Sequence, residues 1–555
     1  MILGVIVIAI VGVSAFYLMQ PSKPPTVVDT DGDGVPDVDD KWPGRDDETF
    51  SVTLNLLIDS WPVTYDPHVS YGGTAGGLNY CYSTLFIFEG GDFNELKPCL
   101  ATGYEMSDDG LTYTIHLRDD VTFHSGDKFT AQSINYTIWR MRETQSPTSW
   151  ILAPIQEIEI PDDYTIVLTI DAPFAPFLAS LSNWIKFVNP NYIEAHGGVV
   201  TGEENLYMRD HEDGTGPFKL VEWADHERIV LEAYDGYFEG WDGPHIERIV
   251  YKFVPELSTQ LMLLASGDAD IIESIKAPNI PEIQNTIEED DLSIIMGERW
   301  SLTTTAFWLN MKALPFSDKN ARLFVQHLID RETGINDVMN GYALPAPTFH
   351  TPGTMGYGEY PTQYTYDPAK AAEYFELMSD EAKDALDGSV WPFLNKAVDE
   401  KVLLQMLQVE LREFDIDIEI LELDGPSYFG RVTSGGLDPE ASDLMLVCYW
   451  SADYPDPDGM IYALYKSDEL WNRMFWGNET TDAILMAARS ETDPVKREDM
   501  YKQLEMMVAD DACQILVYYN GAGYAAQEWM KGLETNFIYA GQYTTPWPYD
   551  VWKEP

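Results

Sequence analysis

The sequence predicts an α/β protein built from more than one lobe. Three observations point there. Segments with helical spacing alternate with short strand-like runs, which is the pattern of sheets covered by helices. The chain has 555 residues, whereas a single hydrophobic core rarely grows past roughly 250–300 residues. Hydrophobic residues make up 45% and charged residues 23%, an ordinary globular balance that excludes a disordered chain and a polytopic transporter.

Each element has a local signal. Leu111–Leu117 alternates apolar and polar residues and reads as a strand. Ser125, Gly126 and Asp127 turn the chain between a strand and a helix over Ala131–Met141. Leu257, Leu261, Leu264 and Ala265 recur at helical spacing, and Gly267 supplies the C-terminal stop. Asp367-Pro368 opens a helix as cap and first residue. Leu403, Met406, Leu407, Leu411 and Phe414 form one helical face, and Ile416, Ile418 and Ile420 then alternate with acids as a strand. Asp443–Tyr449 reads as a buried strand. Asp493-Pro494 caps a last helix with the face Met500, Leu504, Met507 and Val508. No repeat of solenoid period is present.

Charge narrows the function classes. Asp and Glu number 92 against 34 Lys and Arg, a formal charge of −58. Such a surface repels nucleic-acid phosphate and anionic lipid, so binding either through a general basic face is excluded. A high-salt habitat is one reason for such a charge that the sequence leaves open.

Residues 2–19 carry no charge and are almost all apolar. Eighteen helical residues rise about 27 Å, close to the roughly 30 Å hydrocarbon core of a bilayer. Residues 1–20 therefore read as a membrane anchor or a signal. A basic start and a small-x-small cleavage site are both missing, which favours the anchor over cleavage. Either way the bulk of the chain lies outside. Residues 21–50 follow, beginning with the stiff tether Pro21-Ser22-Lys23-Pro24-Pro25.

The tether leads into Asp29-Thr-Asp-Gly-Asp-Gly-Val-Pro-Asp-Val-Asp-Asp40. Calcium takes six to eight oxygens, and an EF-hand-type loop supplies them from positions 1, 3, 5, 7, 9 and 12 with Gly at 6. Asp29, Asp31, Asp33, Asp37 and Asp40 fall on positions 1, 3, 5, 9 and 12, Gly34 on 6, and the Val35 carbonyl on 7. The segment resembles a thrombospondin type 3 repeat, which implies one structural Ca²⁺.

Catalytic motifs are missing. The nine histidines form no HExxH pair, there is no GxSxG elbow, and Gly72–Gly77 lacks the Lys and Ser/Thr of a phosphate loop. Acids are too abundant for a carboxylate pair to be diagnostic. Aromatics reach 13%, with 16 Trp and 32 Tyr; most belong in cores and some suit a concave site for an organic ligand. Four cysteines make no disulfide scaffold. Cys81 and Cys99 are near enough in sequence to pair, while Cys448 and Cys513 sit in apolar runs.

A set of motifs in fixed order then carries a resemblance. It runs Tyr65-Asp-Pro67, Pro98–Ala101, Ser107–Arg118, Val121–Asp127, Gly214–Lys219, Tyr237 with Gly240, and Leu264–Ile271. It continues with Phe316–Asp318, Ile329–Arg331, Gly341 with Pro345, and Trp450–Pro457. From about residue 51 to the end the chain resembles family 5 extracellular solute-binding proteins, the peptide- and nickel-type binding components of ABC importers. The resemblance implies a periplasmic-binding-protein-like α/β fold, two hinged lobes with an extra domain inserted in the first. It implies lobe I from 51–88, 213–303 and 515–555, an inserted domain at 89–212, and lobe II at 304–514. It implies a cell-surface binding protein, a monomer and not an enzyme, which closes on a peptide or other small organic ligand and passes it to an ABC permease. Asp453 in Trp450-Ser-Ala-Asp453 stands where peptide-binding relatives pair with the ligand's α-ammonium. Trp450, Tyr449 and Tyr454 lie beside it, and Thr74 lies where relatives offer extended backbone to the peptide. Leu444–Cys448 departs from relatives that carry an Arg there for the peptide carboxylate, so longer peptides or an oligosaccharide stay open. A secreted hydrolase is the reading from another class, and no positioned nucleophile supports it.

Overall fold

Two adjacent strands organise the molecule: Ile294–Leu309 and Gln514–Gln527, antiparallel over most of their length. The computed structural model describes residues 53–554 apart from 70–76, 89–92, 242–244, 290–291, 293, 359–363, 396, 534–536, 541–542, 547–548 and 550. The calcium-type loop, the apolar run 2–19 and Thr74 lie outside the described residues. Among those described, no helix is long and apolar enough to cross a membrane.

The two long strands sit inside an eleven-stranded sheet. At one end, Gln514–Gln527 pairs with Ile271–Lys276 through Ala526 and Ile271. Ile271–Lys276 in turn lies parallel to Thr53–Ile58, which lies parallel to Arg248–Phe253. The antiparallel strands Arg228–Ala233 and Phe218–Ala224 complete that side, the first lobe. At the other end, Thr303–Leu309 pairs with Met445–Ser451, and Asn520–Tyr518 with Ala343–Pro345, in the second lobe. The register between the long strands slips between Trp300 and Thr304. A slipped register bends a strand pair. The change of lobe therefore falls inside both strands, and residues 514–519 run with the second-lobe half of their neighbour.

Threonines hold the crossing. Thr303, Thr304 and Thr305 are buried, and β-branching suits them to a strand. Their hydroxyls are satisfied: Thr303 with Ser451 Oγ at 2.6 Å, Thr304 by donating to the Phe349 carbonyl, and Thr305 by donating to Asn520 Oδ1 at 2.8 Å. Leu57, Leu264 and Ile272 on one side share a continuous apolar core with Phe307, Phe324 and Trp391 on the other.

The inserted domain is a separate four-stranded antiparallel sheet. Its order is Ala101–Met106, Thr112–Leu117, Thr165–Ile170 and Ile155–Asp162. The alternation read at 111–117 holds, with Tyr113, Ile115 and Leu117 buried. The helix Ala131–Glu143 packs its Ile134, Ile138 and Met141 into the same core.

That helix also carries a buried ion pair that ties the inserted domain to the first lobe. Arg140 donates to both oxygens of Asp66, Nη1 to Oδ1 at 2.9 Å and Nη2 to Oδ2 at 2.5 Å, with both side chains almost fully buried. His68 Nδ1 accepts from Arg140 at 2.6 Å, and its Nε2 donates to the Lys186 carbonyl. Burial and the neighbouring guanidinium hold His68 neutral, down to about 3. The Asp-Pro motif at 66–67 is thus a folding feature. Removing one partner would strand a buried charge, at a cost of about 3–5 kcal/mol.

Cys81, Cys99 and Cys513 are free, buried thiols, so the pairing of Cys81 with Cys99 does not form. Cys81 is packed into the first-lobe core, and Cys99 starts the chain toward the inserted sheet. Burial pushes the Cys99 and Cys513 thiols up to about 12.

Candidate functional site

The site grows from the strand Met445–Ser451, which continues into the loop 452–456 and the helix Pro457–Tyr465. Alternation along the strand sends Met445 and Val447 into one core and Leu446 into another. Tyr449 and Trp450 consequently point to opposite faces. Tyr449 is 39% exposed. Trp450 is half-buried, its indole N–H donating to the Met460 carbonyl at 2.9 Å. Trp308 and Trp471 crowd the Trp450 ring, at centroid distances of 5.8 and 5.7 Å.

Asp453 stands in the loop, with its backbone held from two directions. Its N–H donates to the Gly459 carbonyl at 3.1 Å, and its carbonyl accepts the Trp184 indole N–H. The capping role at the next helix belongs to Asp456, whose Oδ1 accepts from the Asp458 N–H at 2.8 Å, with Pro457 at the first helical position. Gly459 is required by space: a Cβ there would lie 2.4 Å from the Tyr454 carbonyl oxygen.

Two arginines, the buried Arg497 and the half-buried Arg489, brace the loop. Arg497 grips Asp456 with both Nη atoms, at 2.7 and 2.6 Å. Arg489 Nε pairs with Asp458 Oδ1 at 3.1 Å, and the Tyr454 hydroxyl donates to Asp458 Oδ2 at 2.5 Å. Desolvation raises the Asp458 carboxyl against these partners. Tyr454 is buried, its ring edge-on to Phe174 of the inserted domain at 6.4 Å. The structure thus gathers Tyr449, Trp450, Asp453 and Tyr454 on one strand and loop, with Tyr454 as packing and Tyr449 as the accessible ring. Among the described residues no group of three or more His, Cys, Asp or Glu is placed to hold a metal ion.

The helix behind the loop, Pro494–Asp511, shows what sequence reading missed. Its buried face is Arg497, Tyr501, Leu504, Glu505 and Val508, while Met500 and Met507 are only half-buried. Apolar periodicity reads charged residues as outward, but Arg497 and Glu505 turn inward because partners await them. Glu505 accepts from the Tyr465 hydroxyl at 2.8 Å and the Phe349 N–H at 3.2 Å. A usable signal existed in the scarcity of cations: an Arg at helical spacing to Tyr501, Leu504 and Val508 in so acidic a chain suggests a buried partner.

The family model described as bacterial extracellular solute-binding proteins, family 5 middle, matches residues 95–472, and the chain belongs to that family. Among curated relatives, the dipeptide-binding protein of Escherichia coli K12 is 24% identical over 511 residues, 86% of this chain and 91% of the relative. Among solved structures, the substrate-binding protein CtaP from Listeria monocytogenes aligns with a TM-score of 0.77 at 20% identity, covering 91% of this chain and 99% of its own. DppA from Helicobacter pylori, solved with the peptide STSA, aligns with a TM-score of 0.72 at 23% identity, covering 91% and 98%. The fold is the two-lobed α/β architecture of periplasmic binding proteins.

Burial raises the Glu505 carboxyl to about 7. An unfolded Glu releases its proton near pH 4.3. Between those values the folded state holds the extra proton, so this group makes stability fall as pH rises from about 4.5 to about 7. Glu505→Gln removes that dependence. Urea unfolding at pH 5 and pH 8 is expected to show the variant gaining about 2–4 kcal/mol on wild type between the two. An offset that does not change with pH would contradict a neutral Glu505.

Proposed function

We infer that the protein captures peptides between its two lobes by pairing Asp453 with the ligand's α-ammonium, and hands them to an ABC permease. The observation that carries this reading is the placement of Asp453. It sits on a braced loop where the inserted domain meets the second lobe, with its backbone held on both sides. A charge-assisted hydrogen bond in a closed cleft is stronger than a neutral one. The dipeptide-binding relative and the peptide complex of DppA support the ligand class. Tyr449, exposed beside the loop, and Thr74 are proposed to contact the ligand. The proposed division keeps 89–212 as the inserted domain and 304–514 as the body of the second lobe.

Two features shape the ligand. Leu444–Cys448 holds no cation, and its Met445, Leu446 and Val447 are buried, so this stretch offers no partner to a peptide's carboxylate. Capture of a short peptide's carboxylate there is not supported, which favours longer peptides. Trp450 is hemmed in by two indoles, which disfavours its use as a sugar-stacking platform and sets peptide above oligosaccharide.

Calorimetry with free-amino and N-acetylated peptides tests the reading. Asp453→Asn is expected to weaken free-amino peptides by about 2–5 kcal/mol, the usual loss on breaking a buried charge pair. N-acetylated peptide should bind wild type weakly and lose little more in the variant. Equal binding of both peptides by both proteins would remove Asp453 from the site.

At the front of the chain, Asp29, Asp31, Asp33, Val35, Asp37 and Asp40 are proposed to hold one Ca²⁺ as a structural clip. Five carboxylates around Gly34 form a hard oxygen donor set that fits this ion. Calcium titration of the full ectodomain is expected to show one binding event that Asp33→Ala abolishes. An isotherm unchanged by Asp33→Ala would rule it out.

Residues 2–19 are proposed to anchor the protein at the cell surface. N-terminal sequencing of native protein is expected to return the unprocessed start from the membrane fraction. A mature start after Gln20 in soluble material would make the segment a signal.

A further inference from the structure

The loop that carries Asp453 is not held by the second lobe alone. Four contacts reach it and its neighbour Arg489 from residues 174–184 of the inserted domain. The Trp184 indole N–H donates to the Asp453 carbonyl. The Ala175 N–H donates to the Arg489 carbonyl at 2.7 Å. The Arg489 guanidinium lies over two rings, 4.8 Å from the Phe174 centroid and 3.8 Å from that of Tyr462. The Phe174 ring meets Tyr454 edge to face at 84°. Arg489 also pairs with Asp458, which takes the Tyr454 hydroxyl, so clasp and loop form one connected network.

We propose that Trp184 is a positioning residue for ligand capture, and that Phe174 with Arg489 forms a clasp between the inserted domain and the second lobe that keeps the Asp453 loop in its binding geometry. The proposal rests on the reading of Asp453 as the ammonium partner. Its physical content is a division of labour. The second lobe fixes the Asp453 N–H through Gly459, and the inserted domain fixes the carbonyl through Trp184. When the lobes part, one of these two restraints is lost. The carboxylate then loses its fixed direction, so an ammonium held there resists opening and opening releases the ammonium. A cation over two aromatic rings suits such a clasp, because the contact is worth more when desolvated than when exposed. Closure thereby acts on the rate at which ligand leaves more than on the rate at which it arrives.

Two measurements decide it. In the first, dissociation of an alanine tetrapeptide with a C-terminal fluorophore is followed by stopped flow. Trp184→Phe keeps an aromatic ring in the core and removes the indole N–H together with its five-membered ring, so the melting temperature is read beside the dissociation rate. Dissociation is expected to speed up on the order of tenfold, with association little changed, because the Asp453 carbonyl loses a buried donor. An N-acetylated version should leave wild type and variant equally fast. A variant with lower melting temperature but wild-type dissociation would overturn the positioning role. The second measurement needs no peptide. Spin labels at Glu157→Cys and Glu479→Cys, both exposed positions, report the distance between inserted domain and second lobe. Phe174→Ala is expected to shift the distribution to longer distances than in wild type, and an unchanged distribution would overturn the clasp. Should wild type bind no free-amino peptide, the ammonium reading fails and the positioning role goes with it, while the distance measurement still decides the clasp.

Discussion

Two long strands pair on both sides of the place where the two lobes meet, and the rest of the structure follows from that shared ladder. A buried N–H or C=O without a partner is costly, so a chain crossing between lobes must keep its backbone groups paired. Ile294–Leu309 and Gln514–Gln527 meet this demand by pairing with each other on both sides of the register slip. Each contributes one half to the first-lobe sheet and one half to the second. The slip at 300–304 concentrates bending where the ladder is already interrupted. Residues on either side belong to well-packed sheets, which is the setting in which a hinge can close.

Charge is distributed with the same economy. Acids outnumber cations 92 to 34, and several of the scarce arginines sit in the interior. Arg140 ties the inserted domain to the first lobe, Arg497 fixes the Asp456 turn, and Arg489 joins Asp458 to two aromatic rings. Arg322 and Arg331 instead donate to main-chain carbonyls, those of Asp511, Phe316 and Leu516 among them. The exposed acids and the interior arginines have different work: the first repel, the second fix where the chain must turn. The Asp453 loop depends on the second kind.

Local signals in the sequence are legible because their causes are local. Gly267 ends its helix with φ of +78°, Asp367 accepts from the Lys370 N–H, and Asp493 accepts from the Val495 N–H. The alternation at 111–117 needed only a sheet with one buried face. The braces of the site were not legible for the opposite reason. Trp184 meets Asp453 across 269 positions of sequence, and nothing near residue 184 marks it out. The inward turn of Arg497 and Glu505 depends on partners at 456 and 465, which periodicity does not see. Asp453 is singled out by an ordered set of family motifs, and one of these, Asp66, proves through its Arg140 partner to be a folding feature.

The free thiols at Cys81, Cys99 and Cys513 have a consequence beyond packing. Nothing in their surroundings depends on a covalent cross-link, so these parts of the fold are indifferent to the redox state around them. They can be completed with no need for an oxidant or an isomerase. Because burial also disfavours the thiolate at each of the three, a thiol-reactive probe in neutral solution would modify them only as the body opens. The molecule thus carries its own chemical record of how often it unfolds.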